Sequence, residues 1–194
     1  MILSREWWLS ATLAATVSFA ILSPATAQAP PAATPSPAAP GDVFGEEVTL
    51  VEKPIIYMSG SGMWDSAFET ITGSFKTVNA AMAKAGLKAS GPLMTIYTST
   101  DDTGFQYEAA VPVEKAPTLG ADSGVAVGMS PAGKALKFIH RGSYDAMDAT
   151  YEAITNYLDE KQLEAKDLFI EQYMKDPLTT PEDDLVIEVY VPLK

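Results

Sequence analysis

Glutamates and tyrosines recur two residues apart in segments with strand composition. Glu171 and Tyr173 do so in FIEQY, Glu188 and Tyr190 in VIEVY, and Tyr97 and Glu108 belong to the two arms of TIYTSTDDTGFQYEAAVPV. Residues i and i+2 of a strand share a face. In the last strand Leu185, Ile187, Val189, Val191 and Leu193 therefore face one way, and Glu188 and Tyr190 the other. In the strand before it, hydropathy assigns Leu168, Ile170 and Met174 to the core and Phe169, Glu171 and Tyr173 to the opposite face. Thr95, Tyr97, Gln106 and Glu108 form the corresponding set in the first half. Aromatic walls around a carboxylate suit an organic cation: the rings attract it through their π faces and the carboxylate supplies charge. The same pattern also describes the solvated face of an ordinary antiparallel sheet. Alternation alone leaves both readings open.

Other chemistry has thin support. His140 is the only histidine and has no companion ligand, so no metal site is expected. No Gly-x-Ser-x-Gly elbow or phosphate-binding glycine loop is present, and the chain has no cysteine. No cofactor is implied and the catalytic residues, if any, are unknown. One enzymatic alternative remains, in which a glutamate desolvated among tyrosines acts as general acid or base.

The elements that must position these residues read as follows. Residues 48–57 have strand composition, and Ser59-Gly60-Ser61-Gly62 reads as the break after them. Trp64, Phe68, Ile71, Phe75, Val78 and Met82 form a helical stripe that Gly86 stops. Trp64 either begins that stripe as a core residue or borders a cleft. A hairpin follows over 93–98 and 105–113. After a loop and a short connecting strand at 124–129, the order recurs. A strand at 134–140 precedes a helix with Tyr144, Met147, Tyr151, Ile154 and Leu158 on one face, and a second hairpin runs over 167–174 and 185–193.

The recurrence extends to residues. At a spacing of 80, FQYEAAVPV (105–113) and LVIEVYVPL (185–193) coincide at Glu108 and Glu188, Val111 and Val191, and Pro112 and Pro192. At a spacing of 76, Leu87 meets Leu163 and Tyr97 meets Tyr173. One supersecondary unit used twice explains a fixed internal period. The expected fold is α+β, with two pseudo-symmetric strand–helix–strand–strand repeats around a central ligand cleft.

Not all of the 194 residues belong to that fold. Residues 1–27 have the basic start, apolar run and small-residue Ala25-Thr26-Ala27 site of a secretory signal, so a periplasmic or secreted protein is expected. Membrane association is expected only if the signal is retained as an anchor. Residues 28–45 are nearly all Ala, Pro, Ser, Thr and Gly and read as a disordered tether. That leaves 46–194 as one domain. The net charge of −12 and the lack of a basic cluster make nucleic acid a poor partner.

Residues of the second half carry a resemblance. His140-Arg141-Gly142-Ser143-Tyr144, Glu171-Gln172-Tyr173, Asp176-Pro177 with Thr180-Pro181, and Glu188-Val189-Tyr190-Val191-Pro192-Leu193 together resemble the GyrI-like family of bacterial effector-binding domains. The resemblance covers 46–194. It implies a binder of a cationic or amphipathic small molecule, with Glu171 as the cleft glutamate; the signal would make it a stand-alone, exported one. Some relatives resemble hydrolases of reactive small molecules, so hydrolysis in the same cleft is the alternative. Tyr173, Glu188 and Tyr190 would lie nearby, and Tyr97, Glu108 and Trp64 complete the candidate set. The DNA-binding segment that regulators of this kind carry is replaced here by the signal and tether.

Overall fold

The computed structural model describes residues 43–120 and 124–194; the signal and most of the tether lie outside them. Eight strands form one antiparallel sheet: β1 (Glu46–Leu50), β2 (Pro54–Met63), β3 (Met94–Thr100), β4 (Gly104–Pro112), β5 (Ala126–Met129), β6 (Gly133–Arg141), β7 (Phe169–Tyr173) and β8 (Val186–Pro192). Their order across the sheet is β1-β6-β8-β7-β3-β4-β2-β5. Two helices, α1 (Ala67–Lys84) and α2 (Met147–Lys161), cover one face, each entered through a 3-10 turn, Trp64–Ser66 and Tyr144–Ala146.

The stripes form the core as their spacing requires. Ile71, Phe75 and Val78 of α1 and Met147 and Ile154 of α2 are buried against Phe138, Ile187, Val189, Val191 and Val111. The helices end alike. Gly86 takes a left-handed φ of 69° and Leu87 N–H returns to Met82 O; 76 residues on, Gln162 takes φ 55° and Leu163 N–H returns to Leu158 O.

Two features depart from the expectations. The Ser59-Gly60-Ser61-Gly62 run lies inside β2 and does not break it; the interruption falls at residues 51–53. Gly60 and Gly62 stand opposite Tyr107 and Phe105 of β4, and a Cβ on Gly60 would come within 2.8 Å of the Tyr107 ring. These glycines make room for rings and do not turn the chain.

The second departure is a reversal of faces. Glu171 pairs with Val189, and Tyr173 with Ile187. Residues directly opposite one another in a sheet share a face, so Glu171 and Tyr173 look toward the helices. Ile170 belongs to a separate apolar cluster on the helix-free face with Ile55, Met94, Ile96 and Ala110, while Met174 is half exposed.

A short link shapes the sheet. β1 and β2 stand six strand positions apart, about 29 Å in a flat sheet at ~4.8 Å per strand. The three residues 51–53 span at most about 15 Å between Leu50 and Pro54. The sheet therefore curls, and its two ends approach each other over the helix-free face.

Candidate ligand-binding site

β7 sits at the centre of the sheet, between β8 and β3. Its Glu171 is 0% exposed beneath the N-terminal ends of both helices. Three hydroxyls hold the carboxylate. Tyr151 of α2 donates to Oε1 and Tyr173 to Oε2, both at 2.8 Å, and Tyr144 reaches the two oxygens at 3.4 and 3.2 Å. Tyr97 of β3 joins the network through the Tyr144 hydroxyl at 2.7 Å.

Local structure fixes these rings. His140, next to last in β6, is fully buried, with Nδ1 against Thr150 Oγ1 at 2.8 Å and Nε2 against Ser143 O at 3.0 Å. It ties β6 to the turn that carries Tyr144, a structural role. Phe68 packs on Tyr144, Phe75 edge-on to Tyr173, and Phe169 edge-on to Tyr151.

The electrostatics follow from burial. Desolvation raises the Glu171 carboxyl above its ordinary value, and the tyrosine hydrogen bonds oppose that shift without reversing it. Desolvation, then the charge of Glu171, pushes Tyr144, Tyr151, Tyr173 and Tyr97 well above the usual phenol range. All four stay protonated at neutral pH, as donors must.

Above this cage a cleft of about 530 Å³ opens between the helix starts, walled by Trp64, Phe68, Tyr144, Met147 and Tyr151. Five carboxylates line it (Asp65, Glu69, Asp145, Asp148 and Glu182) and, among the described residues, no lysine or arginine does. A neighbouring recess of about 380 Å³ shares Trp64, Asp148 and Tyr151 and adds Tyr97 and Phe169. Trp64 is 40% exposed, held by a hydrogen bond from Nε1 to Asp101 O at 2.8 Å and packed on Phe105 and Tyr97. It is a cleft wall and not core.

The structure thus gathers Glu171, Tyr173, Tyr97 and Trp64. It does not bring Glu188, Tyr190 or Glu108 to them. Glu188 and Tyr190 pair with Gln172 and Ile170, and Glu108 with Ile96, which puts all three on the helix-free face. There Tyr190 donates to Glu188 at 2.6 Å, and partial burial raises the Glu108 carboxyl. In the sequence Tyr144 and Tyr151 stand in the apolar helix stripe, Tyr144 also in the family motif before the helix, and neither is a candidate site residue there. A tyrosine facing inward from a helix needs a partner for its hydroxyl, and two of them two turns apart on one face were the available signal.

A family model described as the GyrI-like small molecule binding domain matches residues 46–194. The chain belongs to this family. Solved structures agree on the fold of this GyrI-like domain. SAV2435 bound to tetraphenylphosphonium is 17% identical, with 78% of this chain and 94% of that one covered and a TM-score of 0.55. EcmrR in a DNA-bound transcription complex is 15% identical over 77% of this chain and 57% of that one, at 0.66. A hydrolase from Listeria innocua is 12% identical over 78% and 92%, at 0.54. A search of curated protein sequences finds no match.

Proposed function

We propose that the protein is an exported binder of small amphipathic or cationic molecules, held between two repeats with the charge over Glu171. One observation carries this reading: a carboxylate with no exposure, held by three tyrosine hydroxyls, at the base of an aromatic cleft whose charged lining residues, among the described residues, are all acids. A lipophilic cation entering from the cleft meets tyrosine faces first. It reaches the carboxylate when Tyr144 and Tyr151 swing aside. Desolvation strengthens the charge pairing there, and aromatic walls tolerate varied shapes. The tetraphenylphosphonium bound to SAV2435 is a ligand of this class and a suitable probe.

Calorimetric titration of wild type and Glu171→Gln with tetraphenylphosphonium and neutral triphenylphosphine oxide tests the reading. Removing the charge should weaken the cation by roughly 1.5–3 kcal/mol and leave the neutral compound nearly unchanged. Equal affinity of both proteins for the cation would overturn it.

The second reading, hydrolysis of a reactive small molecule, is favoured by the raised carboxyl pKa of Glu171, which a general acid or base requires. Recovery of altered product after incubation would favour it, and recovery of intact ligand would favour binding. Export rests on the composition of residues 1–27. N-terminal sequencing of periplasmic protein should begin at Gln28; an intact Met1 in the membrane fraction would replace secretion by anchoring.

A further inference from the structure

The recess of about 380 Å³ beside the cleft differs from it in chemistry. Its floor follows from strand register. Tyr97 of β3 and Phe169 of β7 stand directly opposite one another, and Phe169 lies two residues from Glu171, so all three share the helix-facing side of the sheet. Trp64, from the turn before α1, packs on Tyr97, and Tyr151 of α2 packs edge-on to Phe169, which closes the recess with two further rings. Thr100, exposed at the end of β3, leaves it open to solvent.

Charge is distributed unequally between the two spaces. Five carboxylates line the cleft, whereas Asp148 is the one charged group of the recess among the described residues, and the cleft shares it. The recess is thus a place for apolar matter, since four rings beside one acid gain more from covering than from water. Trp64, Asp148 and Tyr151 border both spaces, so a single ligand can lie across them. Its orientation is then fixed. A positive group placed in the recess would meet one carboxylate and would leave an apolar arm among five.

We propose that cleft and recess are two halves of one site for an elongated amphipathic cation. Its charged head lies among the cleft carboxylates over Glu171, and its apolar arm lies on the rings of Tyr97, Tyr151 and Phe169. This rests on the cleft being the cation site, and adds the ligand's shape and its direction in that site.

Octyltrimethylammonium, titrated into the full chain with methyl-labelled methionine and threonine, tests the placement by NMR. Met147 lines the cleft and Thr100 the recess, and neither lines both, so their methyl groups report the two halves separately. Both signals should move to saturation with one dissociation constant. Nuclear Overhauser contacts should join the N-methyl groups to Met147 and the end of the chain to Thr100. Butyltrimethylammonium should bind at least about tenfold more weakly, because the shorter arm covers less of the rings. Phe169→Ala removes part of the recess floor and should lower that octyl-to-butyl ratio at least about threefold. The contacts in wild type decide the matter even if that variant fails to fold. Saturation at Met147 with Thr100 unmoved, or contacts with the two ends exchanged, would overturn the two-part site and leave the cleft as a cation site. No saturable shift at either methyl would remove both readings together.

Discussion

Glu171 binds at a cost to the fold. Burial raises its carboxyl above the value it has in an unfolded chain, so the folded protein holds that proton more tightly. Such a group favours folding below its unfolded pKa and loses that contribution as pH rises through the folded one. Glu171→Gln does not titrate there. The variant should therefore gain on wild type as pH rises through the folded pKa. Urea denaturation at pH 4 and pH 8 measures the gap, and equal gaps would show that folding does not desolvate the carboxylate. At this scale the sequence was partly legible. Family motifs pointed to Glu171 and Tyr173, but hydropathy sent both to the wrong face. A carboxylate is assigned to solvent by its charge alone, and two of the three hydroxyls that make its burial tolerable, those of Tyr144 and Tyr151, come from α2 and the turn before it, far from Glu171 in sequence.

Helices and hairpins were the most legible elements, because their apolar periods are long and their stops are local. β2 was not. A Ser-Gly-Ser-Gly run looks like a turn unless the rings across the sheet are known, and that pairing spans more than forty residues. The glycines therefore separate by sign on substitution. Gly60→Val adds a good strand former but drives its Cβ into the Tyr107 ring, which also bonds Ser74 at 2.8 Å. It should destabilise by roughly 1–3 kcal/mol, the usual range for overpacking. Gly73 of α1 is exposed, a Cβ added there would meet nothing within 4 Å, and Gly73→Ala should stabilise by about 1 kcal/mol. Chemical denaturation of the two variants gives both signs. Stabilisation by Gly60→Val would mean that the ring does not sit over the strand.

The limits of the whole domain were read from composition and need one adjustment. Phe44, assigned to the tether, packs edge-on to Phe138 and Tyr157, and the Tyr157 hydroxyl reaches Gly45 O at 3.5 Å. Composition cannot see a lone aromatic at the end of a proline-rich run as part of a fold. Removing residues 28–42 should leave the thermal midpoint unchanged, whereas removing 28–44 should cost about 1 kcal/mol through the lost ring contacts. A drop of the same size in both truncations would show that the earlier residues also dock. The curl of the sheet was equally hidden, since it follows from strand order and link length together.

Trp64 gives the protein an optical property. The other two tryptophans, Trp7 and Trp8, lie in the expected signal, so a chain beginning at Gln28 has a single indole. That indole is anchored through Nε1, borders both recesses above Glu171 and stands next to Tyr97. Its emission is a built-in gauge of what enters the cleft: a lipophilic cation stacked on it would quench the signal, with no dye attached and no residue changed.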